Sequence, residues 1–271
     1  IAPFGTKARG LEGVRNALIM SKNSNILRSG KSKGGHFKEG IGVALGMKGI
    51  AYGSDEPQVN VALEVDPRGF LKVYFSNVDY GQGIITGNAQ LVSMKLGIPL
   101  ELIKVYNADT DLSPDSGSSN ASRSTVTSGM ALVKACERLV ESISQELSET
   151  LNVPFQENKY TSGKFITPEV EKKIEGMKEA PRFFYTYDVM ITKIAVDTLT
   201  GRIAVKEMEH FVDAGNIINP NIAESQVEGA AVQGLGFALY EELKYSRGIP
   251  LNINYTTYIV PSSKDVPEIK T

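Results

Sequence analysis

The chain has 271 residues, 41% hydrophobic and 22% charged, an ordinary composition for a globular protein long enough to bury its own core. Its formal net charge of -2 gives no basic field for nucleic acid or an anionic membrane, and its apolar runs are too short to cross a bilayer. One cysteine, Cys136, excludes an internal disulfide and a cysteine-ligated iron-sulfur cluster, and two distant histidines, His36 and His210, argue against a zinc site.

Residues 1–39 read as a lead-in: a helix over Leu11 to Met20, then a loose polar loop through Gly34-Gly35. Residues 40–271 read as one larger domain that starts with an apolar section at Gly40. Val59 to Val65 alternates apolar and polar residues, Asp66-Pro67-Arg68-Gly69 makes a turn, and Leu71 to Phe75 completes a hairpin. Helical spacing over Ile84 to Leu96 stops at Gly97, and Leu102 to Tyr106 is a short strand. After a Ser/Thr/Asn-rich stretch, Ala131, Ala135, Leu139 and Ile143 repeat at four and predict a helix over Gly129 to Leu151, with Cys136 as a buried thiol on it.

Polar residues 152–182 are the candidate subdomain connection. A second hairpin brackets Asp197 to Gly201, between Val189 to Val196 and Ile203 to Met208, and a helix follows over Ile222 to Leu243. Hairpins separated by long helices give an α+β fold with mostly antiparallel sheets and a hint of an internal pseudo-repeat.

Three segments could carry chemistry. Asp79-Tyr80-Gly81-Gln82-Gly83 lies between a strand and a helix, where glycine amides and a helix N-terminus suit phosphate and Gln82 offers a donor and an acceptor. A tight turn is the plain alternative. Gly81, Gly83 and Gly87 with Asp109 also imitate a dinucleotide fingerprint, although the flanking strands do not read as repeated βαβ units. Ser116 to Thr125 packs hydroxyls, amides and the Arg123 guanidinium at a helix entrance, a composition for an anion cradle or for a linker. Gln226 to Gly236 places small residues in a helix that each glycine weakens by about 1 kcal/mol, so a ligand or another backbone comes close there.

In this order and spacing the segments resemble the molybdopterin-binding subunit of the xanthine dehydrogenase/aldehyde oxidase family. The matching residues are Gly81-Gln82-Gly83 with Thr86 and Gln90, Leu96-Gly97-Ile98-Pro99, Asp109-Thr110, Pro114, and Ala121-Ser122-Arg123-Ser124 through Gly129. Asp213-Ala214-Gly215, Ile218-Asn219-Pro220, Gln226 through Gly236 and Glu241-Glu242-Leu243 follow.

The resemblance implies a molybdenum centre on a pterin dithiolene that hydroxylates a purine-like N-heterocycle or an aldehyde with oxygen from water. It leaves the metal held by the pterin, as molybdopterin or its cytosine dinucleotide form, with no protein metal ligand. It implies iron-sulfur clusters and FAD on partner subunits or domains, a small-molecule substrate, and a homodimer as one assembly to test. Carried over by motif, Gly81, Gln82 and Gly83 contact the pterin, and Ser122, Arg123, Ser124 and Thr125 hold its phosphate and edge. Ala121 lies beside the metal and Gln226 meets the pterin ring.

The family's catalytic glutamate stands in a Gly-Glu-Pro-Pro type motif that this sequence does not contain, and Glu268 is not in that context. With no initiating Met and no signal-peptide pattern, the expectation is a truncated C-terminal part of the molybdopterin-binding subunit of a longer cytoplasmic enzyme, inactive by itself. A non-catalytic ligand-binding module on the same scaffold is the alternative.

Overall fold

The computed structural model describes residues 11–29, 34–50, 59–149, 159–161 and 184–271. In chain order the elements are α1 (Leu11–Ser21), α2 (Asn25–Ser29), β1 (Phe37–Ile50), β2 (Ala62–Val65), β3 (Leu71–Phe75), α3 (Ile84–Leu96), β4 (Ile103–Asn107) and α4 (Ser124–Glu149). They continue with β5 (Lys159–Thr161), β6 (Phe184–Asp197), β7 (Ile203–Asp213), α5 (Pro220–Leu239), β8 (Tyr245–Ser246), β9 (Ile249–Pro250) and β10 (Glu268–Lys270). Apart from β5, the connection expected at 152–182 lies outside the described residues. The chain divides into two compact units, Gly49–Tyr185 and Gly10–Lys48 with Thr186–Thr271.

The first unit is a sheet in the order β4-β3-β2-β5. The β2–β3 hairpin closes where Asp66 N–H donates to Phe70 O at 2.7 Å, and Gly69 supplies the positive φ of 88° that the turn requires. Strand alternation puts Leu63, Val73 and Phe75 on one face, where they pack on Ile84 and Val92 of α3 and on Leu132 of α4. Each such fully buried side chain contributes about 1.5–3 kcal/mol. Glu64, on the opposite face, accepts from Lys72 Nζ at 2.8 Å and Tyr74 OH at 2.9 Å.

The second unit is a sheet in the order β1-β6-β7-β10. β6 and β7 are antiparallel around Asp197–Gly201, with a register shift between Lys193 and Ile194. Ala17 of α1 and Ile26 of α2 pack on Val189 and Ile191.

The two units share one plan. A hairpin leads into a helix, and a later strand lies parallel to the second strand of the hairpin. β4 pairs parallel with β3 after α3, and β10 pairs parallel with β7 after α5. The pseudo-repeat hinted at by the sequence is therefore a repeated ββαβ topology within the expected α+β class.

Some boundaries differ from expectation. α4 starts at Ser124 rather than Gly129, because Arg123 O accepts from Thr127 N–H at 2.8 Å and Thr127 and Ser128 are fully buried. Tertiary burial thus extends the helix into residues that read as loop. α5 runs Pro220–Leu239 rather than 222–243, with Asn219 accepting from Ile222 N–H at its start. Its end is set by Gly236 O, which accepts both Tyr240 N–H and Glu241 N–H at 2.9 Å. The section that reads only as apolar from Gly40 is the fourteen-residue strand β1.

Candidate functional site

The first two segments meet in the first unit, at the carboxyl ends of the parallel strands β3 and β4. Ligand sites of α/β units characteristically lie at such ends. From β3 the chain passes through Ser76 to Gly83 into α3; from β4 it passes through Ala108 to Arg123 into α4.

The first loop is folded around Asp79. Its Oδ1 accepts from Gly81 N–H at 3.0 Å and Gly83 N–H at 3.2 Å, and its Oδ2 accepts from Ile85 N–H at 3.1 Å. Gly81 and Gly83 make this possible with φ of 114° and 77°. Burial raises the Asp79 pKa, but the amides of Ile85, Gly81, Gly83 and Ile84 hold it below the usual carboxylate range. Gln82 is folded back as well: its Oε1 accepts from Tyr80 N–H at 2.8 Å and its Nε2 donates to Val78 O at 2.7 Å.

The glycine amides that read from the sequence as phosphate donors therefore serve the chain's own carboxylate. This also bears on the dinucleotide reading. β3–α3–β4 does form a parallel βαβ unit, which the sequence did not reveal, but a carboxylate stands at the helix N-terminus where that reading needs a pyrophosphate.

The second loop divides its hydroxyls between two tasks. Ser116 and Ser76 exchange reciprocal bonds, Ser76 N–H to Ser116 Oγ at 2.9 Å and Ser116 N–H to Ser76 Oγ at 2.8 Å. Ser119 Oγ accepts from Val78 N–H at 2.8 Å, and Tyr80 OH donates to Ser119 O at 3.1 Å. These bonds clasp the two loops together. By contrast, the hydroxyls of Ser122, Ser124 and Thr125 hold no part of the fold among the described residues.

Ala121 and Ser122 have left-handed φ of 49° and 56°, a pair of strained non-glycine residues that turns the chain into α4. Arg123, next in line, is buried, and its Nη1 donates to Ser118 Oγ at 3.4 Å. A buried guanidinium, three uncommitted hydroxyls and the amides opening a 26-residue helix form a donor set that fits an anionic group.

Gln226 belongs to the second unit. It occupies the seventh position of α5, as Gln90 does in α3, and each helix follows an Asp-x-Gly turn in which the glycine amide donates to the aspartate. Gln226 is exposed on a cavity of about 780 Å³ lined also by Asn25, Glu209, His210, Val227 and Lys270. Two of these were missed by sequence reading, since they lie inside a strand. Glu209 is buried and accepts from Asn25 N–H at 3.2 Å, and His210 Nδ1 lies 2.9 Å from Asp188 Oδ2. Of the helix's small residues, Gly236 is closely approached by Glu241, whereas Gly229 and Gly234 face open space.

The chain is similar to known proteins of one family. The family model of the molybdopterin cofactor-binding domain matches residues 20–267. The 6-hydroxypseudooxynicotine dehydrogenase complex subunit gamma of Paenarthrobacter nicotinovorans is 31% identical over 86% of this chain and 32% of its own length. The xanthine dehydrogenase of Oryza sativa is 28% identical over 93% of this chain and 19% of its own. Among solved structures, the aldehyde oxidoreductase of Desulfovibrio desulfuricans superposes with a TM-score of 0.67 at 28% identity, over 96% of this chain and 29% of that one. The chain thus spans about a third or less of these relatives. It belongs to the molybdopterin-binding part of the xanthine dehydrogenase/aldehyde oxidase family.

Proposed function

We propose that the chain is the cofactor-holding part of a molybdenum hydroxylase and that the clasped loops of its first unit are one wall of the cofactor site. The observation that carries this reading is the pairing of an anion-suited donor set at Ala121 to Thr125 with a loop, Asp79 to Gly83, bonded to it through Ser119. Ser122, Ser124, Thr125 and Arg123 hold the cofactor's phosphate and the edge of its pterin. Ala121, with no side chain beyond Cβ, leaves room beside the metal. Gly81, Gln82 and Gly83 line the pterin, and Gln226 hydrogen-bonds its ring.

Gln82 contacts the pterin by exchanging its two backbone bonds for equivalent partners on the ligand. The bound cofactor supplies the redox chemistry that places oxygen from water on a carbon. The protein's own residues bind and orient it.

For the whole protein we propose oxidation of a purine-like N-heterocycle or an aldehyde. The names of the relatives support this range, since they include a xanthine dehydrogenase and an aldehyde oxidoreductase. The relative named as a subunit of a dehydrogenase complex supports partner subunits or domains. We assign these iron-sulfur clusters and FAD, and take molybdopterin or its cytosine dinucleotide form as the cofactor, with a homodimeric assembly and a cytoplasmic setting as parts of the same reading. No helix among the described residues is long and apolar enough to cross a membrane.

The test is the molybdenum-to-protein ratio of the full-length protein. Ser124→Ala and Gln226→Ala are expected to lower it severalfold in folded material, and unchanged ratios in both would overturn the site assignment.

A further inference from the structure

Asn77 lies where the chain leaves β3, just before the first loop turns away, and its side chain is fully buried. Its Nδ2 points at Ser116 O and Gly117 O, at 3.4 and 3.5 Å, in the second loop. Its Oδ1 accepts from the hydroxyl of Ser128 on α4. Its backbone carbonyl accepts from Asn107 Nδ2, at the end of β4, at 2.7 Å. One residue therefore touches every segment that frames the candidate cofactor cradle: the β3 exit, the β4 exit, the second loop and the first turns of α4.

The partners are as buried as Asn77 itself, with Ser116 and Ser128 both at 0% exposure. In such surroundings an unmatched polar atom is costly, so the network admits one arrangement of the loops. Only a side chain with an amide can donate to two carbonyls and accept from a hydroxyl at once. Asn77 belongs to none of the three segments singled out in the sequence.

We infer that Asn77 is a positioning residue that fixes Ser116 to Thr125 in the shape that receives the cofactor's anionic end. This rests on the cofactor reading given above. Asn77 does not itself touch the ligand; it acts through the loop.

Asn77→Asp is the sharpest probe, because it keeps size and shape while setting a carboxylate against two carbonyl oxygens. Hydrogen exchange of the cofactor-free full-length protein is read at the amides of Ser116, Gly117 and Arg123, which are hydrogen-bonded in the loop. These are expected to lose protection about tenfold or more at neutral pH, with the amides of α3 and the β2–β3 hairpin little changed. As pH is lowered the introduced carboxyl takes up its proton and donates again, so corrected protection of the loop returns. Ser128→Ala, which removes only the tie to α4, is expected to give a smaller loss in the same amides.

The molybdenum-to-protein ratio of purified folded Asn77→Asp falls in parallel with the loop protection. Loop protection equal to wild type, or lost equally throughout the unit at every pH, would overturn the inference. So would full molybdenum occupancy with an unprotected loop. A wild-type protein that holds no molybdenum overturns the cofactor reading, and the exchange measurement then decides by itself whether Asn77 orders the loop.

Discussion

The carboxylate of Asp79 receives the backbone N–H of Ile85 at 3.1 Å, so α3 begins under a charge supplied from six residues upstream. Together with the bonds from Gly81 and Gly83 this makes Asp79 the cap of the helix in all but sequence position. Asp79→Ala is expected to lower stability by about 1–2 kcal/mol, measured by urea denaturation. The pH dependence follows from the lowered pKa: burial opposes the shift, and the four backbone donors more than offset it. Asp79's contribution is complete above the unfolded carboxylate range and disappears as pH falls through the folded value. The difference between wild type and Asp79→Ala should therefore shrink in acid.

Asn88 is 1% exposed on the core side of α3, and among the described residues neither its Nδ2 nor its Oδ1 meets a hydrogen-bond partner. Leucine has a similar branched shape and no polar atoms to desolvate. Asn88→Leu is expected to raise stability by about 1–3 kcal/mol, read as an increased midpoint in urea with an unchanged slope. A lower midpoint would mean that Asn88 has a polar partner in solution.

The glycines of α5 should part company on substitution. Gly229 and Gly234 face open space, so alanine there adds only helix propensity, about 1 kcal/mol of stabilisation each. An added Cβ at Gly236 meets the carboxylate of Glu241, which Tyr258 OH holds by a 2.6 Å hydrogen bond. Gly236→Ala is expected to destabilise by about 1–3 kcal/mol despite the same gain in propensity. Adding Glu241→Ala should recover part of that loss in thermal denaturation, since the added Cβ still lies 3.0 Å from Pro261 Cδ.

Burial pushes the thiol of Cys136 up to about 11, and the residue sits at 1% exposure in the first unit's core. Aromatic disulfide reagents are expected to leave it untouched in the native protein and to react fully in denaturant. Rapid native labelling would show that α4 opens locally.

Tyr74 is pushed up to about 12, first by burial and then by its hydrogen bond to Glu64. Its contribution to stability is therefore present below the unfolded tyrosine range and is lost as pH rises through the folded value. Absorbance titration should show Tyr74 among the phenols that ionise only in strong alkali, beside Tyr240 and Tyr258, whose pKa values are also raised. Tyr74→Phe should remove one of them.

How far the sequence disclosed all this depends on whether a feature is local. Gly97 stops α3 with a φ of 67°, as its place after an apolar period suggests, and the Asp66 and Asp197 turns announce both hairpins. The start of α4 was hidden because Ser124, Thr125 and Thr127 have loop-like side chains whose helical state depends on packing. The parallel pairing of β3 with β4 was hidden for another reason: pairing direction is a property of the crossover, and a strand's own residues do not encode it.

The candidate site was legible as three segments and not as an arrangement. Nothing in Asn77 or Ser116 taken singly indicates that one will bind across to the other. Asp79 did carry a signal, an aspartate two residues before a glycine, which is the pattern of a side-chain-capped turn. The glycines alone did not disclose that the acid beside them takes up their amides.

The second unit is made from two stretches far apart in the sequence, and this sets a waiting time during synthesis. β1 ends at Ile50, yet its neighbour in the sheet, β6, begins only at Phe184. At the usual ribosomal pace of ~5–20 residues per second, β1 stays without that neighbour for on the order of ten seconds. Throughout that interval a fourteen-residue strand bearing Val43, Leu45 and Met47 presents unmatched backbone to whatever is nearby. The strands β2 to β4 with α3 and α4 of the first unit are made within that interval, so the growing chain carries them and an unattended strand together. Heat-shock holdases that bind short apolar stretches would meet this protein at β1.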